Sequence, residues 1–240
     1  MTDDEMLAEA VRRARGLVAP GTRRLLGIVG PPGGGKSTLA HFLTEQLGTS
    51  ACYVPMDGFH LANVELERLA RRDRKGAPDT FDAAGYVALL RRLRDAEETV
   101  YAPAFDRELD ESIAGAVAVP PTVPLVITEG NYLLLQEGPW ADVRRLLDEI
   151  WYVETDEQTR VERLIQRHVT FGKTPAAAHA WAHGSDQRNA ELVARSRHGA
   201  DLVVHLSPRD REAHVASERT PADQVAHPHR NTANRGAPDA

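Results

Sequence analysis

Gly30-Pro31-Pro32-Gly33-Gly34-Gly35-Lys36-Ser37 is the stretch that most narrows what this chain can become. It fits G-x-x-x-x-G-K-[ST] in full. It follows the apolar run Leu25-Leu26-Gly27-Ile28-Val29 and precedes Thr38-Leu39-Ala40-His41-Phe42-Leu43, so it has a buried strand before it and a helix after it. That setting is the one in which the pattern works. Gly30, Gly33, Gly34 and Gly35 let successive backbone N–H groups turn inward around phosphate oxygens, and the helix start at Ser37 and Thr38 adds its positive dipole end. Lys36 supplies a point charge for the β- and γ-phosphates, and the Ser37 hydroxyl can ligate Mg²⁺. These seven residues, Lys36 included, are the candidate ATP site. Lys36 is expected to be solvated when no nucleotide is bound. The bland alternative is a glycine-rich turn that binds nothing, and the flanking strand and helix weigh against it.

The remaining pattern extends this into an α/β fold. Leu7, Val11, Ala14 and Val18 form one stripe of an N-terminal amphipathic helix that ends at Pro20-Gly21. Short apolar runs at Ala51-Cys52-Tyr53-Val54, Leu125-Val126-Ile127, Ile150-Trp151-Tyr152-Val153 and Asp201-Leu202-Val203-Val204 read as further strands. Helical periodicity returns around Tyr86–Leu90, from Asp156 to His168 and from Pro175 to Ala194. Strands alternating with helices predict a parallel sheet with helices on both faces, a P-loop NTPase architecture. Residues 1–206 are expected to form that domain. From Ser207 onward the aliphatic residues are Val215, Val225 and alanines among scattered prolines. Residues 207–240 are therefore expected to be a disordered tail, with His214, His227 and His229 as solvated filler.

Composition removes several classes. Lys plus Arg number 29 and Asp plus Glu 35, a net charge of −6 in 240 residues. That balance argues against broad nucleic-acid or anionic-membrane binding. The single cysteine, Cys52, cannot pair within the chain and is expected to be packing in a buried strand. The start of the chain is acidic where a secretory leader would be basic, and no apolar run is long enough for a bilayer. The expectation is a cytoplasmic protein whose partner is a small molecule, without nucleic acid or membrane; a homodimer is left open.

Candidate chemistry lies past the ends of the strands, where ligands of open parallel sheets bind. Asp57 follows the second strand and could accept the proton of an attacking hydroxyl; a loop aspartate capping a turn is the alternative. Glu129 ends another strand and suits Mg²⁺, directly or through water, as the partner of Ser37. Arg160, Arg163 and Arg167 fall on one helix face, with Val161, Leu164, Ile165 and His168 opposite. A lid of that kind could offset charge on a transferring phosphoryl group, Arg163 and Arg167 above all; a solvated face paired with Glu157 and Glu162 is the alternative. Phe171-Gly172-Lys173 reads as its hinge and tip. His60 could contact an acceptor or bond to backbone, and Arg107 could meet an acidic substrate or pair with Asp106 or Asp110. Trp140, Trp151 and Trp181 read as core.

These pieces, in this order, resemble the uridine kinase, pantothenate kinase and phosphoribulokinase group of P-loop kinases. The resemblance covers residues 25–204 and rests on the phosphate loop, Asp57-Gly58-Phe59, Lys75–Asp82, Pro103-Ala104-Phe105-Asp106-Arg107 and Glu129-Gly130-Asn131-Tyr132. Within the group the chain looks most like bacterial nucleoside/nucleotide kinase-like or fructose-transport-system kinase-like proteins. The resemblance implies Asp57 as catalytic base, Ser37 and Glu129 as the magnesium pair, and Arg163 and Arg167 as lid arginines. It also implies an acceptor pocket near His60, Phe105, Asp106, Arg107, Asn131 and Tyr132. Two departures bear on the acceptor. Uridine kinases carry a ribose-binding aspartate where this chain has Gly76, unless Asp79 or Asp82 takes its place, and a histidine where it has Asp110. Lys75-Gly76 and Asp57-Gly58-Phe59 are closer to pantothenate kinases, whose Tyr-Ser-His stretch is absent. The expected activity is ATP-dependent phosphorylation of a sugar, polyol or pantothenate-like alcohol. A uridine or nucleoside kinase is the alternative, and a P-loop ATPase or nucleotide-dependent switch is the reading from another class.

Overall fold

A computed structural model of the chain describes residues 2–19 and 21–206. The expected tail, 207–240, lies outside the described residues. Five strands, β1 (Arg24–Val29), β2 (Ala51–Pro55), β5 (Leu125–Gly130), β6 (Glu149–Glu154) and β7 (Leu202–His205), form one sheet in the order β2-β5-β1-β6-β7, with every pairing parallel. Side chains alternate faces along each strand. Leu25, Val29, Val54, Val126, Ile150 and Tyr152 enter one core layer, and Leu26, Ile28, Leu125, Ile127, Trp151 and Val153 enter the other.

Helices cover both layers. On the second face lie α1 (Asp3–Leu17) and α2 (Lys36–Leu47), which contribute Met6, Ala10, Val11, Ala14, Leu39, Ala40 and Leu43. The buried stripe of α1 thus runs through Met6 and Ala10, with Leu7 and Val18 packed at its margin. Thr2 and Glu5 close its N-terminus as a reciprocal capping box, the Glu5 N–H donating to Thr2 Oγ1 at 3.2 Å and the Thr2 N–H to Glu5 Oε2 at 2.8 Å. The first face is covered by α4 (Ala83–Arg94) and the short α5 (Val143–Leu146), through Tyr86, Val87, Leu90 and Val143. Asp82 caps α4 by accepting from the Gly85 N–H at 2.8 Å.

Two parts of the chain depart from the sequence reading. Between α4 and β5 a separate antiparallel ribbon forms from β3 (Val100–Asp106) and β4 (Glu111–Val119). Its outer strand exposes Ile113, Ala114, Gly115 and Ala116 in succession, so the alternation that marks a half-buried strand is missing there. The expected helix from Pro175 to Ala194 is α7 (Pro175–Trp181) and α8 (Gln187–Arg195) joined by a π turn at Ala182–Asp186. The remaining helices are α3 (Asn63–Arg68) and α6 (Glu157–Thr170). Among the described residues no helix is long and apolar enough to cross a membrane.

Candidate functional site

The loop from Gly30 to Gly35 joins the central strand β1 to α2, and its shape depends on missing side chains. Gly33 has φ +76°, and a Cβ there would meet the Arg160 carbonyl at 2.7 Å and Leu164 at 2.8 Å. Only glycine lets α6 lie this close to the loop. Two further contacts fasten it. Thr155, just past β6, donates its hydroxyl to the Gly34 carbonyl at 2.7 Å, and Arg160 Nη1 reaches the Pro32 carbonyl at 3.4 Å. The α2 N-terminus begins at Gly35 with no side-chain cap and no acid in the first turn, so its N–H groups and dipole are left for an anion. This geometry fits a nucleotide's phosphates.

Lys36 is not solvated as expected. It is 8% exposed, and its ammonium donates to the Pro31 carbonyl at 3.1 Å, because the glycine loop folds back over its stem. Burial lowers its pKa, with Glu129 and Asp57 acting in the opposite sense. Ser37 and Thr38 are half-buried in the first turn of α2. Ser37 Oγ donates to Glu129 Oε1 at 3.1 Å, and the Tyr53 hydroxyl donates to the same oxygen at 2.8 Å. Glu129 is buried, and that burial, with the charge of Asp57 added, raises its pKa. A hydroxyl beside a carboxylate is a hard-oxygen pair that fits Mg²⁺. No group of three His, Cys, Asp or Glu side chains able to hold an ion exists among the described residues. A divalent ion here would therefore complete its shell with phosphate oxygens and water.

Asp57 lies in the turn Met56–Phe59 directly after β2. The ribbon packs on this turn so closely that a Cβ at Gly58 would stand 2.4 Å from the Pro103 carbonyl. Burial pushes the Asp57 carboxyl up, but His60, Arg107, Lys36 and Arg167 together outweigh it and hold it below the usual value. Arg107 Nη2 is 3.9 Å from Asp57 Oδ2. His60 Nδ1 is 2.8 Å from the Asp57 carbonyl; a carbonyl only accepts, so Nδ1 carries the proton. Burial lowers the His60 pKa, against the pull of Asp57, which favours the neutral ring with Nε2 as an acceptor. The ring sits between Phe81 and Phe105, with centroids at 4.0 and 4.6 Å.

The three α6 arginines separate. Arg160, 2% exposed, is a brace: it reaches Pro32, Glu157 and the Gln187 side chain rather than a lid's open face. Leu164 also faces the loop, on the Arg160 side of the helix rather than opposite, because residues four apart share a face. Arg163 Nη1 is buried with no hydrogen-bond partner among the described residues, an orphan donor that an arriving anion would satisfy. Arg167 is close enough to Asp57 and Lys36 to affect both electrostatically. Beyond them Gly172 takes φ +92° and the Lys173 ammonium stands 4.3 Å over the Trp181 ring.

Two expected acceptor-side residues, Asp106 and Tyr132, also make structural contacts. Asp106 Oδ1 accepts the N–H groups of Glu108 and Leu109, each at 2.9 Å, and so forms the turn of the ribbon. Tyr132 is 1% exposed, donates its hydroxyl to the Gly76 carbonyl and packs on Phe81 and Trp140. Asn131 is half-buried just past β5. Asp79 is paired with Arg74 at 2.9 Å, and Asp82 caps α4. Trp140 and Trp151 are core, whereas Trp181 is half-buried against Lys173. Cys52 is half-buried on the edge strand β2. Sequence reasoning missed Thr155, Tyr53 and the bracing role of Arg160; each lies on or beside an element it recognised, but their contacts span 121, 76 and 128 residues.

A parallel sheet with a phosphate-type loop after its central strand, a lysine at the start of the following helix and a carboxylate past the next strand defines a P-loop kinase. No family model matches the chain. A Schizosaccharomyces pombe protein provisionally named a uridine kinase is 32% identical over 208 residues, 82% of this chain and 88% of the relative. A protein of Aspergillus versicolor named an ATP-dependent kinase-like protein is 37% identical over 152 residues, 59% of this chain and 88% of that one. The crystal structure of a Silicibacter sp. TM1040 protein, provisionally named a fructose transport system kinase, is 39% identical. It matches with a TM-score of 0.76 over 85% of this chain and 98% of its own. The chain belongs to the P-loop kinases of the uridine kinase and pantothenate kinase group, ATP-dependent phosphotransferases with an alcohol group as acceptor.

Proposed function

We propose that the protein transfers the γ-phosphoryl group of ATP to a hydroxyl of a small sugar, polyol or pantothenate-like alcohol, with Asp57 as the general base. The observation that carries this reading is the setting of Asp57: a carboxylate held ionised beside Lys36, Arg107 and Arg167, at the mouth of the phosphate loop. An acceptor hydroxyl that donates to Asp57 loses its proton there as its oxygen attacks phosphorus. The N–H groups of Gly33 and Gly35 and the α2 N-terminus hold the phosphates, while the Gly34 N–H closes the loop on the Pro31 carbonyl at 3.0 Å. Lys36 exchanges the Pro31 carbonyl for a phosphate oxygen, and Arg163 and Arg167 offset charge on the transferring group. Ser37 and Glu129 would hold Mg²⁺, with Tyr53 fixing Glu129 from behind. When bound, the ion would neutralise charge on the phosphates.

His60, Phe105, Arg107 and Asn131 are the remaining acceptor-side candidates. A nucleoside fits less well, because its two ribose hydroxyls would meet Gly76 where a carboxylate is wanted. Each unpaired buried hydroxyl costs on the order of 1–3 kcal/mol. ADP release measured with ATP and Mg²⁺ across nucleosides, hexoses, pentose phosphates, glycerate and pantothenate tests the assignment. The highest kcat/KM belongs to a non-nucleoside; uridine in first place would restore the nucleoside kinase reading.

A further inference from the structure

We infer that Arg107 binds an oxyanion on the acceptor itself, so that the molecule phosphorylated is a small carboxylate or phosphate carrying its own reactive hydroxyl. This rests on the kinase reading above and narrows it.

Arg107 differs from the cations around it. In the segment that faces the ribbon, Lys75 donates to Asn63 Oδ1 at 2.7 Å and to the Asp110 carbonyl at 2.6 Å. Arg72 donates to Asp110 at 2.8 Å, Arg74 to Asp79 at 2.9 Å, Arg71 to the Asp79 carbonyl at 2.7 Å and Arg68 to Glu65 at 2.6 Å. Each has a close hydrogen bond. Among the described residues Arg107 makes its ion pair with Asp57 at 3.9 Å, beyond hydrogen-bond range. Its five guanidinium donors are thus uncommitted beside the reacting carboxylate.

The nucleotide does not need this cation. Its phosphates already have the loop amides, Lys36, Arg163 and Arg167, all from β1, α2 and α6. Arg107 comes from the other side: it follows β3, and the ribbon rests on the Asp57 turn through the close approach of Pro103 to Gly58. A neutral polyol would leave the guanidinium without a complement, whereas a carboxylate or phosphate matches its fork. The spacing also limits size. With Arg107 Nη2 and Asp57 Oδ2 3.9 Å apart, a hydroxyl on that oxygen and an oxyanion on that nitrogen are separated by at most about 10 Å. His60 Nε2 is an acceptor for a second hydroxyl or amide of the same molecule.

Calorimetric titration of the ADP-saturated protein tests this. The ligands are matched pairs: glycerate and glycerol, pantothenate and pantothenol, a pentose 5-phosphate and its pentose, with inorganic phosphate as the bare probe. The expected result is that the charged member of at least one pair binds tenfold to a hundredfold more tightly than its neutral partner. The pair that responds tells carboxylate from phosphate. Arg107→Ala erases the difference and leaves ADP affinity unchanged, and Arg107→Lys restores part of it; Arg107 is 40% exposed, so both variants fold. The inference is overturned if neutral members bind as well, if Arg107→Ala keeps the discrimination, if it weakens ADP instead, or if no oxyanion binds at millimolar concentration. Failure of ADP or ATP to bind the wild-type protein overturns the kinase reading instead.

Discussion

Lys36 and Asp57 carry opposite charges within one small volume, and each is tuned by the other's presence. Burial disfavours the Lys36 ammonium, which donates a hydrogen bond to the Pro31 carbonyl. Lys36→Met keeps the stem and removes the charge. Phosphoryl transfer is lost, while stability without nucleotide changes by about 1 kcal/mol, the net worth of one hydrogen bond. A variant that turns over at the wild-type rate would contradict the phosphate-loop reading. Asp57→Asn keeps the shape and removes the base, so kcat falls by about 10²–10⁴ with the ATP Kd unchanged. An unchanged kcat with a raised Kd would make Asp57 a magnesium or structural residue. The pH profile follows from the direction of the Asp57 shift. Its carboxyl is held below its ordinary value of 3.8, so it stays ionised as pH falls through the normal carboxylate range. The Asp57 contribution to the acid limb of kcat/KM therefore lies below about pH 4, and a limb that stays there in Glu129→Gln but sits higher in the wild-type protein belongs to Glu129, whose pKa is raised.

At the scale of elements, α6 is held to the phosphate loop by Arg160, whose guanidinium spans from the Pro32 carbonyl to Gln187 at the start of α8. Arg160→Ala leaves those buried acceptors without a donor and costs about 1–3 kcal/mol. The same variant weakens ATP, because Gly33 and α6 are no longer fixed against each other. A thermal melt and an ATP titration check both, and unchanged values in each would contradict the bracing role of Arg160. The strand-loop-helix unit was legible because a local pattern specifies it: five apolar residues, a glycine loop and an amphipathic helix. The ribbon was not legible. Its outer strand is alanine-rich and exposed, and its position is fixed by a backbone approach at Gly58 that no periodicity reports. The roles of Asp106 and Tyr132 were hidden for a related reason. A motif places both near the acceptor, but whether a side chain faces a ligand or its own turn depends on contacts that spacing does not encode.

For the molecule as a whole, the alternation of strands and helices was enough to give the parallel sheet and its two covered faces, since connection rules leave few other arrangements. The proposed acceptor side draws on the Asp57 turn, the ribbon and the Lys75–Asp82 loop, three segments far apart in the chain, whereas the phosphate loop is one continuous stretch that the sequence reads directly. Residues 207–240 offer no apolar pattern able to dock on this sheet. Truncation after Leu206 is therefore expected to leave both the melt and turnover unchanged, and a loss of either would give the tail a structural part. The central claim is that ATP is consumed for transfer to a hydroxyl and not for hydrolysis or switching. ADP release by the wild-type protein and by Asp57→Asn, each with Mg²⁺ and with or without the acceptor panel, tests it most directly. The wild-type protein should be nearly idle alone and strongly stimulated by an acceptor, with Asp57→Asn abolishing the stimulation; acceptor-independent ATP hydrolysis that survives in Asp57→Asn would contradict it.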